Sequence, residues 1–184
     1  MSNFKIIDTE ITDVKLIEPK VFDDDRGHFF ESFNKKSFNQ AIGLNVEFVQ
    51  DNQSFSKLGV LRGLHKQSNP YEQAKLVRVV FGEVYDVAVD VREESPTFGR
   101  WVGEYLSSEN YKQLWIPEGF AHGFLTMSEY AEVLYKTNNF YNKESEVSIN
   151  PFDKELNIKW PEPNQKIIMS AKDLHSINFK ELYD

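Results

Sequence analysis

An all-β fold is what this sequence predicts, on three observations. Short runs rich in Val, Ile, Phe and Tyr recur along the chain, set apart by clusters of Gly, Pro, Asn and Ser, the rhythm of antiparallel strands and turns. Helical periodicity is scarce, and no strand–helix alternation repeats, which disfavours a doubly wound sheet against a sandwich or barrel. The length, 184 residues, suits one domain with a sizeable core. Residues 1–184 are therefore read as a single domain, without internal repeats or low-complexity tracts.

Taken in order, strands are expected at 14–18 and 47–54, with a short helix at 37–42 between them. Ser37 is placed to cap that helix and Gly43 to end it. The clearest stretch is 75–90, where LysLeuValArgValValPhe meets Gly82-Glu83 and continues as ValTyrAspValAlaValAsp. Two apolar runs around a turn containing Gly predict a β-hairpin. Further strands are expected at 101–106, 113–116, 122–127 and 131–137, and a turn of helix at 153–156. From Asn138 onward the strand rhythm weakens. Asn138-Asn139, Asn150-Pro151 and Trp160-Pro161-Glu162-Pro163 mark turns of a C-terminal lobe.

Composition removes several function classes. With 21 Lys+Arg against 29 Asp+Glu the net charge is −8, so neither nucleic acid nor an anionic membrane is an expected partner. The 15 Phe, 8 Tyr and 3 Trp are too many for a disordered acidic chain. Absence of Cys excludes disulfides, thiolate metal sites and cysteine nucleophiles, so any metal would need His and carboxylate ligands. Met1-Ser2-Asn3-Phe4-Lys5 lacks the apolar core of a secretory signal, and no stretch approaches the ~18 apolar residues of a membrane span. A cytoplasmic protein is the expectation.

Side chains alternate across a strand, so parity shows which residues share a face. Val46, Phe48, Gln50 and Asn52 fall in line, as do Lys75, Val77, Val79 and Phe81. Tyr135 lines up with Ala131 and Val133, and His122 with Phe124 and Thr126. Leaving a neutral polar group buried and unpaired costs roughly 1–3 kcal/mol, and an ammonium more. A barrel lumen holding a polar ligand meets that need for all of them; rim positions are the alternative for any one alone. Charge adds a second line. Lys57, Arg62, Lys66, Lys75 and Arg78 stand against the single acid Glu72, a local net of +4 that fits either an anion site or a solvated basic strand pair. Of His28, His65, His122 and His175, only His65 sits beside Arg62 and near Lys75.

The run Pro117-Glu118-Gly119-Phe120-Ala121-His122-Gly123-Phe124 has the PxGxxHxF form of the second cupin motif, and Gly59 followed by His65 resembles the start of the first. The resemblance implies a cupin-type jelly-roll barrel, here with short helices and a C-terminal lobe. Metal-binding cupins carry a His-x-His pair and a Glu in the first motif. Here His65 is followed by Lys66 and Gln67, leaving His65, His122 and Glu72 as a thin ligand set. The expected site uses no metal or other cofactor, and its chemistry falls to a His base, a Tyr acid and a Lys or Arg at a developing oxyanion.

More specific runs follow in order: ValPheAspAspAspArgGlyHisPhePheGluSerPheAsn (21–34), PheValGlnAspAsnGlnSer (48–54), ValLeuArgGlyLeuHis (60–65), AlaLysLeuValArg (74–78), SerProThrPheGly (95–99), LeuTrpIleProGluGlyPheAlaHisGlyPhe (114–124) and SerAlaLysAsp (170–173). Together they closely resemble the dTDP-4-dehydrorhamnose 3,5-epimerases from about residue 6 to 173. The resemblance implies a homodimer that inverts C3 and C5 of a dTDP-linked 4-keto-6-deoxyhexose on the way to dTDP-L-rhamnose. By similarity His65 is the base, oriented by Asp173; Tyr135 is the proton donor; Lys75 stabilises the C4 oxyanion. A phenol of pKa near ~10 suits donation to a carbanion followed by reprotonation from solvent.

The same resemblance assigns substrate binding to Arg26, Glu31, Gln50, Asp51, Asn52, Arg62, His122, Glu146 and Lys172, a thymine stack to Tyr141, and a second wall to Phe22. Related readings are a C3-only or C5-only epimerase, a non-catalytic carbohydrate-binding cupin, and a metal-dependent cupin oxygenase. Retention of Tyr135 in ValLeuTyrLys leans toward double epimerisation.

Overall fold

The computed structural model describes residues 3–183. The chain runs through β1 (Phe4–Asp8), β2 (Lys15–Pro19), β3 (Val21–Asp24), β4 (Gly27–Phe30), α1 (Lys35–Ile42), β5 (Gln50–Lys57), β6 (Leu61–Gln67), β7 (Lys75–Phe81) and β8 (Glu83–Asp90). It continues through β9 (Trp101–Ser107), β10 (Gln113–Ile116), β11 (Phe120–Thr126), β12 (Tyr130–Thr137), β13 (Glu146–Ser148) and α2 (Ala171–Leu174), with 3-10 turns at Lys143–Ser145 and Phe179–Leu182. A six-stranded sheet in the order β1-β2-β10-β7-β12-β5 faces a five-stranded sheet in the order β13-β6-β11-β8-β9, while β3 and β4 pair only with each other. This is the expected all-β jelly roll with short helices.

Alternation builds the core. Val77 and Val79 of β7, Ala131 and Val133 of β12 and Leu114 and Ile116 of β10 point inward, meeting Val84, Ala88, Val102, Leu106, Phe120 and Phe124 of the other sheet. The C-terminal lobe covers the outer face of the five-stranded sheet, where Ile149, Leu156 and Phe179 pack on Leu64, Val87, Val89 and Ala121. On the outside of the six-stranded sheet, α1 buries Phe38 against Phe4, Ile17, Leu76 and Trp115. No helix among the described residues is long and apolar enough to cross a membrane.

Three expectations are corrected. The 75–90 stretch forms two strands but no hairpin: β7 pairs with β10 and β12, β8 with β9 and β11. The chain crosses between sheets at Gly82, whose φ is 74° and where a Cβ would lie 2.0 Å from the Tyr130 carbonyl. Only glycine fits that crossing. The helix begins two residues early, at Lys35, and its cap is Asn34, whose side chain accepts from the Ser37 amide at 3.1 Å; Gly43 ends it as expected. The strand expected at 47–54 starts at Gln50, because the Asn39 side chain binds both the N–H and C=O of Val46 and holds that segment as a loop. Phe48 then joins Phe33, Phe38 and Trp115 on the outer face, out of line with Gln50 and Asn52. The turn of helix expected at 153–156 is present, closed by the Asn157 amide on the Asp153 carbonyl at 2.9 Å, with the Asp153 carboxylate accepting from the amides of Glu155 and Leu156.

Candidate active site

A cavity of about 510 Å³ opens between the two sheets, lined by His65, His122 and Glu146 on one wall, Lys75 and Tyr135 on the other, and Lys172 and Asp173 of α2 at its rim. Strand register sets the walls. His65 of β6 lies directly opposite His122 of β11, and β12 and β7 place Tyr135 beside Val77 and Thr137 beside Lys75. The two glycines of LeuArgGlyLeuHis and AlaHisGlyPhe make the histidine pairing possible. A Cβ on Gly63 would sit 2.6 Å from the Gly123 Cα, and one on Gly123 would sit 2.7 Å from the Arg62 carbonyl. The backbones touch there, and the ladder shifts register between His122 and Phe124.

His65 Nε2 lies 2.6 Å from Asp173 Oδ1. Asp173 is fixed in turn by Ser170, the cap of α2, which donates to Oδ2 at 2.9 Å and accepts from the Asp173 amide at 3.1 Å. Burial pushes the Asp173 carboxyl up, but the His65 bond and charge, Ser170 and Lys172 outweigh it and hold it below the usual range. It is therefore a carboxylate at neutral pH. With Nε2–H donated to that carboxylate, Nδ1 of His65 is left with a free lone pair. The His65 side chain, 30% exposed, is open to the cavity.

Across the cavity, Lys75 is buried, with Nζ 3.5 Å from the His65 carbonyl and 5.9 Å from the centre of the Tyr135 ring. Burial pulls its ammonium down to about 8, against the attraction of Asp86 and Glu146. Tyr135 moves the other way: burial, reinforced by Glu146 and only partly countered by Arg62, raises its phenol and keeps it protonated at neutral pH.

His122 and its partner Asp86 lie in the interior, Nε2 standing 3.0 and 2.9 Å from the two carboxylate oxygens. Burial lowers the His122 pKa, with Asp86 opposing, so the ring is neutral. Glu146 accepts from the Tyr141 hydroxyl at 2.8 Å and pairs with Lys172; burial raises its pKa, but these two bonds outweigh it and hold it low. Arg62 reaches from β6 to β5, donating to Ser56 Oγ at 3.0 Å and to the Phe55 carbonyl at 3.2 Å. Tyr141 stands half-exposed at the mouth.

One chain thus gathers His65, Lys75, Tyr135, Asp173, Arg62, His122, Tyr141, Glu146 and Lys172 around one cavity. Gln50 joins its edge by accepting from the Tyr141 amide at 3.1 Å, and it donates to Asn52 at 2.9 Å. Asn52 lines a smaller adjoining hollow of about 280 Å³. Asp51 lines the same hollow and pairs with Lys136 at 2.8 Å; alternation puts it on the opposite face of β5 from Gln50 and Asn52.

Phe22, Arg26 and Glu31 do not line the cavity. Arg26 is exposed on the β3–β4 hairpin and paired with Asp24, and Phe22 stacks under the Lys20 ammonium at 5.0 Å. Glu31 accepts from Asn34 at 3.1 Å and Asn3 at 3.4 Å. Glu72 also stands outside the lining. Among the described residues no group of three or more His, Asp and Glu is placed to hold a metal ion. Asp86 and Ser170 were missed from the sequence. Asp86 shares parity with Val84 and Ala88, so the alternation that singled out Lys75 marks it too.

The family model of dTDP-4-dehydrorhamnose 3,5-epimerase matches residues 8–181. The dTDP-4-dehydrorhamnose 3,5-epimerase of Shigella flexneri is 60% identical over 174 residues, 95% of each chain. A 3,5-epimerase from Legionella pneumophila, solved in complex with dTDP-4-keto-L-rhamnose, superposes with a TM-score of 0.94 at 50% identity, covering 98% of this chain and 95% of that one. ChmJ, a 3'-monoepimerase from Streptomyces bikiniensis solved with dTDP-quinovose, gives a TM-score of 0.88 at 34% identity, covering 94% and 87%. At such identity over nearly its whole length, the chain belongs to the dTDP-4-dehydrorhamnose 3,5-epimerase family.

Proposed function

We propose that His65, Tyr135, Lys75 and Asp173 carry the reaction of this chain, the epimerisation at C3 and C5 of dTDP-4-dehydro-6-deoxy-D-glucose to dTDP-4-dehydro-L-rhamnose. The 4-keto group acidifies the C–H bonds on both sides of it. His65 Nδ1 takes the proton, and the C–H electron pair moves into the ring to make an enolate with its charge on O4. The Lys75 ammonium meets that charge, supplied without solvent reorganisation because it is already buried. Tyr135 then gives its phenolic proton to the opposite face of the carbon, and the phenolate and imidazolium return to their starting states through solvent. Asp173 holds the His65 tautomer and stabilises the imidazolium.

One observation carries this reading: His65 and Tyr135 stand on opposite walls with Lys75 between them, 3.5 Å from the His65 carbonyl and 5.9 Å from the Tyr135 ring. Arg62 and Lys172 supply the cationic rim for the diphosphate, and Tyr141 the exposed ring for thymine. His122, Glu146, Gln50 and Asn52 offer hydrogen bonds to the sugar and nucleotide. Phe22, Arg26 and Glu31 have no access to the cavity of their own chain, so their binding role is proposed for a cytoplasmic homodimer in which each hairpin serves the other chain's site.

Single epimerisation is the second reading, since a 3'-monoepimerase shares the fold. Incubation with dTDP-4-dehydro-6-deoxy-D-glucose in D2O, followed by NMR, separates the two. Deuterium at both C3 and C5 with inversion at each is expected. Label at one carbon would establish the monoepimerase, and none at either would leave a binding protein.

A further inference from the structure

Asp86 is a carboxylate where the fold asks for an apolar side chain. It lies on β8 between Val84 and Ala88 on the core face, and all three are 0% exposed. Among the described residues its hydrogen bonds come from His122 alone. A buried carboxylate is costly unless its charge is balanced, and a neutral His122 supplies a hydrogen bond but no charge. The charged and titratable groups that face Lys75 are His65 of β6, Asp86 of β8, His122 of β11, Tyr135 of β12 and Glu146 of β13. Of the two carboxylates, Glu146 is already paired with Lys172 and bonded to the Tyr141 hydroxyl. Among the described residues, Asp86 has only the His122 imidazole as a partner.

We propose that Asp86 is a positioning residue for the epimerisation: it fixes the ring of His122 and serves as the buried counter-ion that keeps Lys75 protonated beside the reacting sugar. This rests on the role given to Lys75 above. The two functions follow from one group. By taking the Nε2–H of His122 on both oxygens, Asp86 leaves Nδ1 as the acceptor that a sugar hydroxyl would meet. Its carboxylate is the largest attraction acting against the burial that draws the Lys75 ammonium down to about 8. Without it, Lys75 would give up its proton nearer neutrality and reach the C4 oxygen uncharged, with nothing to offer a developing anion.

The test is Asp86→Asn, which preserves shape and a hydrogen-bond acceptor but removes the charge. Two readouts are taken: the pH profile of kcat, and the titration of Lys75 followed by NMR at its 13C-labelled ε-carbon, assigned through Lys75→Met. The alkaline limb of kcat and the Lys75 midpoint are expected to fall together by about one unit, the lower end for a close charge partner, with kcat near the old midpoint down about fivefold and KM little changed. Asp86→Glu is expected to restore the limb. An unmoved Lys75 midpoint, or a kcat lowered equally at every pH, overturns the proposal. Should Asp86→Asn fail to fold, the Asp86→Asn/His122→Gln pair keeps a buried hydrogen bond without charge and is read by the same titration. Full activity in Lys75→Met would instead overturn the role of Lys75, while the titration still reports on Asp86.

Discussion

His65 and Tyr135 face each other across one cavity, yet their walls prepare them in opposite ways. On the five-stranded wall carboxylates hold the imidazoles: Asp173 at 2.6 Å from His65, Asp86 at 2.9 Å from His122. Each histidine presents its other ring nitrogen as an acceptor. On the six-stranded wall burial does the setting, raising the Tyr135 phenol so that it keeps its proton and lowering the Lys75 ammonium to about 8. In the proposed mechanism one wall takes a proton and the other gives one. An inversion at carbon needs that asymmetry, because the proton must leave one face and return to the other.

The largest effect should come from the accepting wall. His65→Asn is expected to lower kcat by roughly 10⁴-fold, near the upper range for loss of a positioned acid or base, with no deuterium entering either carbon. On the donating wall, Tyr135→Phe is expected to cost about 10³-fold in inversion while exchange persists, because the base is intact and can return deuterium to the face it came from. Asp173→Asn, which keeps the shape but not the charge that holds His65, should lie below both at about 10²-fold, measured as kcat at saturating substrate.

The difference between the walls also predicts a stability effect. Lys75 titrates near 8 in the folded chain against its ordinary 10.5. Between those values the unfolded chain binds the extra proton, so stability rises with pH across that window; below it the buried ammonium is a standing cost. Lys75→Met is therefore expected to raise unfolding stability at pH ~7 by about 1–3 kcal/mol even as it impairs catalysis. Urea titrations at pH ~7 and pH ~10 should show the gain shrinking at the higher pH. The smallest effect belongs to neither wall. Arg26→Ala, on the separate hairpin, is expected to raise KM about tenfold, the size of one lost charge-assisted hydrogen bond, with kcat unchanged.

Alternation made much of the cavity legible in the sequence. Lys75, His122 and Tyr135 each stand in line with core side chains, and the structure puts each on an inward face. What parity cannot report is the partner strand. The 75–90 stretch reads as a hairpin, but the close approach of Gly82 to the Tyr130 carbonyl sends its two halves into different sheets. β6 escapes the strand pattern because Arg62, Gly63, His65, Lys66 and Gln67 leave only Leu61 and Leu64 as its apolar residues. The β3–β4 hairpin escapes it for a different reason: all but two of its eight residues are exposed, so no buried face imposes a period. The pairing of His65 with Asp173, 108 residues apart, is beyond spacing altogether; family resemblance alone points to it, and the structure brings the two into contact.

The division between the walls is tested most directly by following deuterium entry and inversion together, in D2O, for His65→Asn and Tyr135→Phe on the same substrate. The account predicts neither exchange nor inversion in His65→Asn, and exchange without inversion in Tyr135→Phe. Exchange surviving in His65→Asn, or inversion at wild-type rate in Tyr135→Phe, would contradict it.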